Sequence, residues 1–290
     1  MTLRDKMLAL LVCAAWGANY VPSRWLLDVW GPFLLLSMRF TIVALVLVPF
    51  YRTPTGKIRD IIVLSLVLGT VHFGMMFGGM AMGLDVSSTV ISSQLGVPFS
   101  CLLGSIIFQD RLGRWRSLGM LVSFLGVIII AGSPAIAENY LPFMVACGGA
   151  LAWGYGNIYI KRFKDYPMLA VLGWMSLFTA PQLVLLSYLF EEGQWQALQT
   201  TDMRVWLSLV YTVLLSSIMG YGVWYSLMAK HRVSQVVPYS LLIPVFGLTF
   251  THVAFAEELT TQFIVGGFAT IIGVGIIILR KPEQQHLEQA

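Results

Sequence analysis

The chain has 290 residues, of which 57% are hydrophobic and only 11% are charged. A soluble domain carries about 25% charged residues, so this composition excludes an ordinary water-soluble fold. The formal net charge of +4 does not indicate nucleic-acid binding, because the basic residues form short clusters between apolar runs, a pattern typical of membrane topology signals.

The apolar runs predict ten transmembrane helices, each near the roughly 20 residues that a bilayer crossing requires. The first run has full crossing length and lacks a clean small-residue cleavage site, so we interpret it as a helix and not as a signal peptide. We expect an all-α membrane protein embedded in a lipid bilayer. The predicted crossings cover residues 7–27, 32–51, 59–83, 87–108, 115–133, 139–161, 167–190, 204–229, 233–255 and 260–280.

The basic residues predict the direction of each crossing. With the N-terminus in the cytoplasm, Arg24 and Arg204 lie outside and Arg39 lies within the second helix, which leaves fifteen (18 − 3) of the 18 Lys and Arg residues on the cytoplasmic side. Lys and Arg are enriched in cytoplasmic loops. We therefore expect both termini in the cytoplasm, with residues 282–290 as a short polar tail.

The first predicted helix carries Trp16, Asn19 and Tyr20 at a spacing that places them on one face. Polar groups that face lipid cost several kcal/mol each, so these side chains either pack against other helices or line a substrate path. Trp153 and Asn157 repeat the pattern in the sixth helix. The recurrence favours cavity lining, although packing between helices remains the alternative.

Arg39 lies about two turns into the second helix. An arginine at this depth has three interpretations. In the first, its side chain extends to the membrane surface; in the second, it binds carbonyls at a helix end; in the third, it attracts a substrate carboxylate.

The third and fourth predicted helices carry further candidates for substrate contact. His72, with Met76 one turn later, offers an imidazole that binds a substrate or takes up a proton. A lone histidine is often a packing residue, but ionisable groups within the membrane favour function. Gln94 lies one turn before Pro98, which removes a backbone donor and frees a carbonyl at that point.

The later helices supply an aromatic group and a second proline. Tyr221 and Trp224 lie too deep in the eighth helix for an interfacial belt, and aromatic walls suit flat or apolar substrates. Tyr239 precedes Pro244 in the ninth helix. Interruptions at matching positions of two halves point to a transporter site, so we assign Pro98 and Pro244 to helix kinking and gating.

The two halves of the chain resemble each other. Pro98 corresponds to Pro244 at an offset of 146, and Gly119 and Gly126 correspond to Gly266 and Gly273 at an offset of 147. Five helices per half is an odd number, so the halves must cross the membrane in opposite directions. We therefore expect two inverted five-helix repeats, residues 1–133 and 139–281, with the substrate site between them.

No Asp or Glu falls in the middle of a predicted helix, which argues against a carboxylate proton relay or a sodium site. The remaining modes of transport are facilitated export down a gradient and weak proton coupling through His72. The sequence shows no nucleotide loop, nucleophile motif or metal-ligand spacing. We expect no cofactor, no metal and no enzymatic activity.

The ordered motifs resemble the drug/metabolite transporter superfamily in its EamA-type branch, and most closely its aromatic and neutral amino-acid exporters. Where many relatives have Glu in the first-half turn, this chain has Gln109-Asp110. The resemblance implies an architectural role for Arg39, where relatives often have arginine. The motifs are Trp16-Gly17-Ala18-Asn19-Tyr20, Pro32, Arg39, Gly83-Leu84, Ser87-Ser88, Pro98, Asp110-Arg111-Leu112, Gly119, Gly126, the stretch from Ser234 to Pro244, Glu257-Glu258-Leu259, Gly266 and Gly273.

These observations together predict a monomeric secondary transporter of the bacterial inner membrane that exports amino acids or similar small metabolites by alternating access. Two alternatives remain: an exporter of another metabolite or drug-like solute, and a membrane scaffold without transport activity.

Overall fold

The computed structural model describes residues 1–108, 113–133, 136, 140–231, 236–257 and 259–279. These residues form helices and turns without a strand, so the predicted all-α class is confirmed. Asp110, Ser234, Glu258 and the predicted tail 282–290 lie outside the described residues.

Long helical segments, labelled α1 to α10, follow one another along the described chain, and a short helix, Gln194–Thr200, precedes α8. They are α1 (Leu3–Ala18 and Tyr20–Leu27), α2 (Pro32–Leu47, then Val48–Phe50), α3 (Ile58–Leu64, Ser65–His72 and Phe73–Ala81), α4 (Val86–Gln94 and Gly96–Phe108), α5 (Arg114–Ala131), α6 (Tyr140–Tyr159, then Ile160–Phe163), α7 (Met168–Phe190), α8 (Met203–Val210, Tyr211–Met219 and Gly220–Lys230), α9 (Val237–Leu241 and Leu242–Phe255) and α10 (Thr261–Leu279).

Seven helices of the described chain are long and apolar enough to cross a membrane, namely α2, α3, α4, α5, α7, α8 and α10. The ninth predicted crossing corresponds to a shorter apolar helix, Tyr239–Phe255. The first predicted crossing corresponds to two consecutive helical segments that meet at Asn19, where the backbone keeps right-handed helical angles. A multi-pass helical bundle is therefore established, whereas the count of ten crossings stays a prediction.

Capping side chains define where several helices begin. Thr2, Asp85 and Asp202 each accept a hydrogen bond from the backbone N–H three residues later. A side-chain oxygen at this position satisfies one of the four backbone donors that a helix start leaves unpaired.

Two carboxylates from the second half of the chain bind helix starts of the first half. Glu191, directly after α7, accepts hydrogen bonds from the backbone N–H groups of Phe33 and Leu34 at 2.7 and 2.9 Å. Glu257, after α9, binds the first two N–H groups of α4 at 2.9 and 3.0 Å. A negative charge is favourable at a helix N-terminus, so these bonds join the two halves at one end of the bundle.

Helices α3 and α8 each contain a π-helical segment, Ser65–His72 and Tyr211–Met219. Their first residues are 146 positions apart (211 − 65), the offset that also separates Pro98 from Pro244. π-Helical turns are rare and are frequently found at functional sites. The two halves of the chain thus share an uncommon local structure at matching positions.

Helices α5 and α10 approach each other at glycines. A Cβ added to Gly126 would lie 2.5 Å from the carbonyl oxygen of Gly266, and one added to Gly119 would lie 2.7 Å from that of Gly273. The earlier residue of α5 meets the later residue of α10, so the two helices run antiparallel. Only residues without a side chain permit this backbone contact.

Candidate functional site

A cavity lies between α2, α3, α6, α7 and α8. The cavity leaves about 40 Å³ for the centres of water-sized molecules, within about 560 Å³ of space between its walls that includes the part open to solvent. Both halves of the chain line it: α2 and α3 come from the first half, and α6, α7 and α8 from the second. The lining residues are Arg39, Phe40, Leu64, Leu68, Phe73, Trp153, Asn157, Ile160, Met168, Val171, Leu172, Met175, Ser217, Tyr221 and Tyr225.

The cavity occupies one half of the bundle. Leu64 and Leu68 belong to the first half of α3, Met168 opens α7, and Ile160 directly follows α6. These positions share the end of the bundle at which the N-terminus lies. From there the cavity extends to Arg39, in the middle of α2.

Arg39 is the only charged residue among those that line the cavity, and its side chain is 3% exposed. Its Nε and Nη2 atoms donate to the Ser217 hydroxyl at 3.1 and 3.0 Å. Its guanidinium carbon lies 4.9 Å from the ring centre of Phe73 and 5.8 Å from that of Phe40. Its Nη1 atom is buried without a hydrogen-bond partner. The side chain neither reaches the surface nor binds helix-end carbonyls.

Trp16 supports one wall of the cavity from α1. Its ring centre lies 5.4 Å from that of Tyr221 and 5.3 Å from that of Trp224, and its Nε1 donates to the Ser216 carbonyl at 2.8 Å. Tyr221 in turn stacks on Tyr225 at 6.1 Å. A row of aromatic rings therefore extends from Trp16 on α1 across α8, and the hydrogen bond from Trp16 to Ser216 fixes its first ring.

His72 lies behind the opposite wall. Its ring is 4.6 Å from that of Phe73 and 4.9 Å from that of Trp153, both of which line the cavity. Its Nδ1 is 2.8 Å from the Gly149 carbonyl oxygen. A carbonyl only accepts hydrogen bonds, so Nδ1 carries a proton in this contact.

The predicted polar residues of α1 and α4 form a second group. The Tyr20 hydroxyl donates to the Ser93 hydroxyl oxygen at 3.0 Å, and the Gln94 side-chain amide donates to that Ser93 oxygen at 3.3 Å. Asn19 lies at the break in α1, where its Nδ2 donates to Ser23 at 3.3 Å and its Oδ1 is buried without a partner. None of these residues lines the cavity.

The structure thus divides the predicted site residues. Arg39, Trp153, Asn157 and Tyr221 line the cavity. Trp16 and His72 contact residues of its wall, and Trp224 contacts Trp16. The remaining residues lie elsewhere. Asn19, Tyr20 and Gln94 lie between α1 and α4, Met76 packs against Gly149, and Tyr239 belongs to a cluster with Ala9 and Leu227. Pro98 and Pro244 lie in the first turns of the helical segments Gly96–Phe108 and Leu242–Phe255.

Sequence reasoning missed several lining residues. Ser217, the hydrogen-bond partner of Arg39, carries no sequence signal, because its role arises from a contact across 178 positions. The four residues of α7 that line the cavity are apolar and resemble lipid-facing side chains. No residue of α7 was predicted to contribute to the site.

Two charged clusters close the end of the bundle nearest the cavity. The Asp5 carboxylate, at the start of α1, accepts hydrogen bonds from Lys230 Nζ at 3.0 and 3.1 Å and lies 2.9 Å from His231 Nε2. The Thr2 hydroxyl, Lys230 and His231 hold the pKa of Asp5 well below its usual value. At the start of α3, Asp60 accepts from the Tyr159 hydroxyl at 2.7 Å. These contacts join α1 to α8 and α3 to α6.

Within the described part of the chain, no three His, Cys, Asp or Glu side chains are placed to hold a metal ion. The site therefore offers hydrogen bonds, aromatic faces and one buried cation.

Known proteins resemble the chain over nearly its whole length. The model of the EamA-like transporter family matches residues 6–132 and 141–279. A Salmonella typhimurium protein named "Probable amino-acid metabolite efflux pump" is 30% identical over 96% of this chain and 95% of its own, and an Escherichia coli protein of that name is 27% identical over the same shares. A protein of known crystal structure, 17% identical, has the same fold, with a TM-score of 0.64 over 96% of this chain and 98% of its own.

Proposed function

The chain belongs to the EamA-like transporter family and is a multi-pass inner-membrane transporter, and from that premise we propose that it exports amino-acid metabolites. Two similar proteins carry the name of amino-acid metabolite efflux pumps. The proposed substrates are aromatic or other bulky neutral amino acids.

The cavity is the observation that carries this proposal. Aromatic and aliphatic side chains form most of its wall, and Asn157, Ser217 and Arg39 provide polar groups. Pockets of this kind bury the apolar part of a ligand and orient it through a few polar contacts. An aromatic side chain fits against Tyr221, Tyr225 and Trp153, because such rings gain from edge and offset-stacked contacts.

We further propose ten crossings, both termini in the cytoplasm, and two inverted repeats at residues 1–133 and 139–281. The separate family matches at 6–132 and 141–279 support this division. The antiparallel glycine contacts of α5 with α10 support a twofold relation, because Gly119 contacts the counterpart of Gly126 and Gly126 contacts the counterpart of Gly119. The matching π-helical segments support it independently.

Alternating access follows from this arrangement. The cavity lies toward the proposed cytoplasmic end, where the clusters around Asp5 and Asp60 join helices of different repeats. Export requires these contacts to separate for substrate entry and the contacts at the opposite end, including Glu191 with α2, to separate for release. One chain contains both repeats, so we propose that the monomer transports.

Counterflow tests the proposal. Purified protein in liposomes would be preloaded with unlabelled phenylalanine, tryptophan, methionine or threonine, and uptake of the labelled amino acid would be recorded. We expect saturable uptake that requires an internal load. Tyr221→Ala should reduce it by removing part of the cavity wall, whereas Trp195→Ala, at a side chain 73% exposed outside the cavity, should not.

Absence of counterflow for every amino acid, with protein that remains folded, would refute the proposed substrate class and favour another metabolite or a drug-like solute.

A further inference from the structure

We infer that Arg39 binds the carboxylate of the transported compound, so that substrates must carry a carboxylate and need not carry an amino group. This inference rests on the proposed function and names the chemical group by which that site selects its substrates.

The first observation is a buried positive charge without a counter-ion. The ion pairs formed by the described residues involve Asp5, Asp28 and Asp60, and none of them includes Arg39. A buried charge is costly unless it is paired. The Ser217 hydroxyl and the faces of Phe73 and Phe40 offset part of that cost, but none of them carries a negative charge.

The second observation is the donor that remains. A guanidinium has five N–H groups in a fixed planar fork. Nε and Nη2 bind Ser217, whereas the two N–H groups of Nη1 are buried without a partner. Buried polar groups nearly always have a hydrogen-bond partner in the protein, in water or in a ligand, so Nη1 is available to a bound molecule. A carboxylate supplies the missing acceptor and the missing charge together.

The third observation is an asymmetry between the two halves. Helices α2 and α7 pack together and begin at or just after a proline, Pro32 and Pro167. Arg39 follows the first proline by seven residues and Trp174 follows the second by seven. Trp174 has its indole N–H paired with the Tyr51 carbonyl at 3.2 Å, so of these two positions only that of Arg39 presents a cation with an unpaired donor.

The surroundings of Arg39 suit a carboxylate on an apolar group. Ser217 fixes the guanidinium from one side, and its own hydroxyl donates to the Thr212 carbonyl at 2.8 Å. That carbonyl belongs to the π-helical segment of α8. Phe73 and Tyr221 both line the cavity. A substrate whose carboxylate contacts Nη1 therefore places its side chain among aromatic rings.

The test compares acids with their amides. Detergent-purified protein would be titrated with L-phenylalanine, 3-phenylpropanoate and L-phenylalaninamide, with apparent Kd values read from the shift in melting temperature. We expect wild type to bind both acids and to bind the amide far more weakly. In Arg39→Gln the acids should bind about 10- to 100-fold more weakly, as expected for loss of a charged hydrogen bond, and the amide should be unaffected.

Arg24→Gln is the matched control, because Arg24 already pairs with Asp28 at 3.2 Å and with the Met80 carbonyl at 3.3 Å. It should keep the wild-type preference for acids. Arg39→Lys is the second variant, for use if Arg39→Gln does not fold, because lysine keeps the positive charge. It should lose part of the preference for acids over the amide.

Equal binding of acid and amide by wild type, or no binding of either, would overturn the inference, as would an equal loss of both in the Arg39 variants. A preference for acids without counterflow of any amino acid would instead refute only the proposed substrate class.

Discussion

Replacing Gly126 with alanine should destabilise the protein through the contact between α5 and α10. The new Cβ would lie 2.5 Å from the Gly266 carbonyl oxygen and 2.6 Å from the backbone nitrogen of Thr270. Ordinary contact begins at 3.4 Å, so the helices must separate by roughly 0.9 Å (3.4 − 2.5). Two of the three nearest atoms are backbone atoms and cannot rotate away, and the third is the Thr270 hydroxyl oxygen at 2.5 Å.

Overpacking of this kind costs about 1–3 kcal/mol, which corresponds to a fall in melting temperature of about 2–12 °C for a chain of this size class. The assay is thermal unfolding of detergent-purified protein followed by size-exclusion chromatography. Gly78→Ala is the matched control, because no heavy atom lies within 4 Å of its added Cβ. It should leave the melting temperature unchanged or raise it slightly, since alanine favours helix over glycine. Equal melting temperatures for the two variants would refute the close approach of α5 and α10.

Two further predictions concern the ends of the bundle. Glu191→Gln should lower the free energy of unfolding by about 0.5–2 kcal/mol, because it removes the charge that binds the first N–H groups of α2. The melting temperature measures this loss, and Glu192→Gln, at an exposed carboxylate, is the control. Asp5→Asn should be less stable than wild type at pH 7. The lowered pKa of Asp5 means that its contribution is present above its usual pKa near 3.8 and is lost as the pH falls below it. The difference in melting temperature should therefore narrow below about pH 4, and a constant difference would contradict the role of Asp5.

Much of the fold could be predicted because lipid imposes a simple rule on sequence. Apolar runs of bilayer length must be helical, since no other open structure satisfies the backbone in hydrocarbon. The predicted crossings therefore fall on helices of the described chain. The division of α1 at Asn19 could not be predicted, because Tyr20 and Val21 continue the apolar run.

The candidate site was harder to predict because a cavity is a property of several helices together. Trp153, Asn157 and Tyr221 were identified because polar or aromatic groups stand out in an apolar helix. Met175 and its neighbours in α7 do not stand out, since an apolar residue that lines a cavity has the same composition as one that faces lipid. Arg39 was identified as exceptional, but its unpaired Nη1 required coordinates.

The matching π-helical segments have a consequence for the history of the chain. A π-helical turn arises when one residue is inserted into an α-helix, and it persists where the wider turn is useful. Ser65–His72 and Tyr211–Met219 occupy equivalent places in α3 and α8. Under the proposed duplication of a five-helix unit, one insertion before the duplication accounts for both segments, whereas a later origin requires two independent events. The wide turn would then be older than the joining of the two halves.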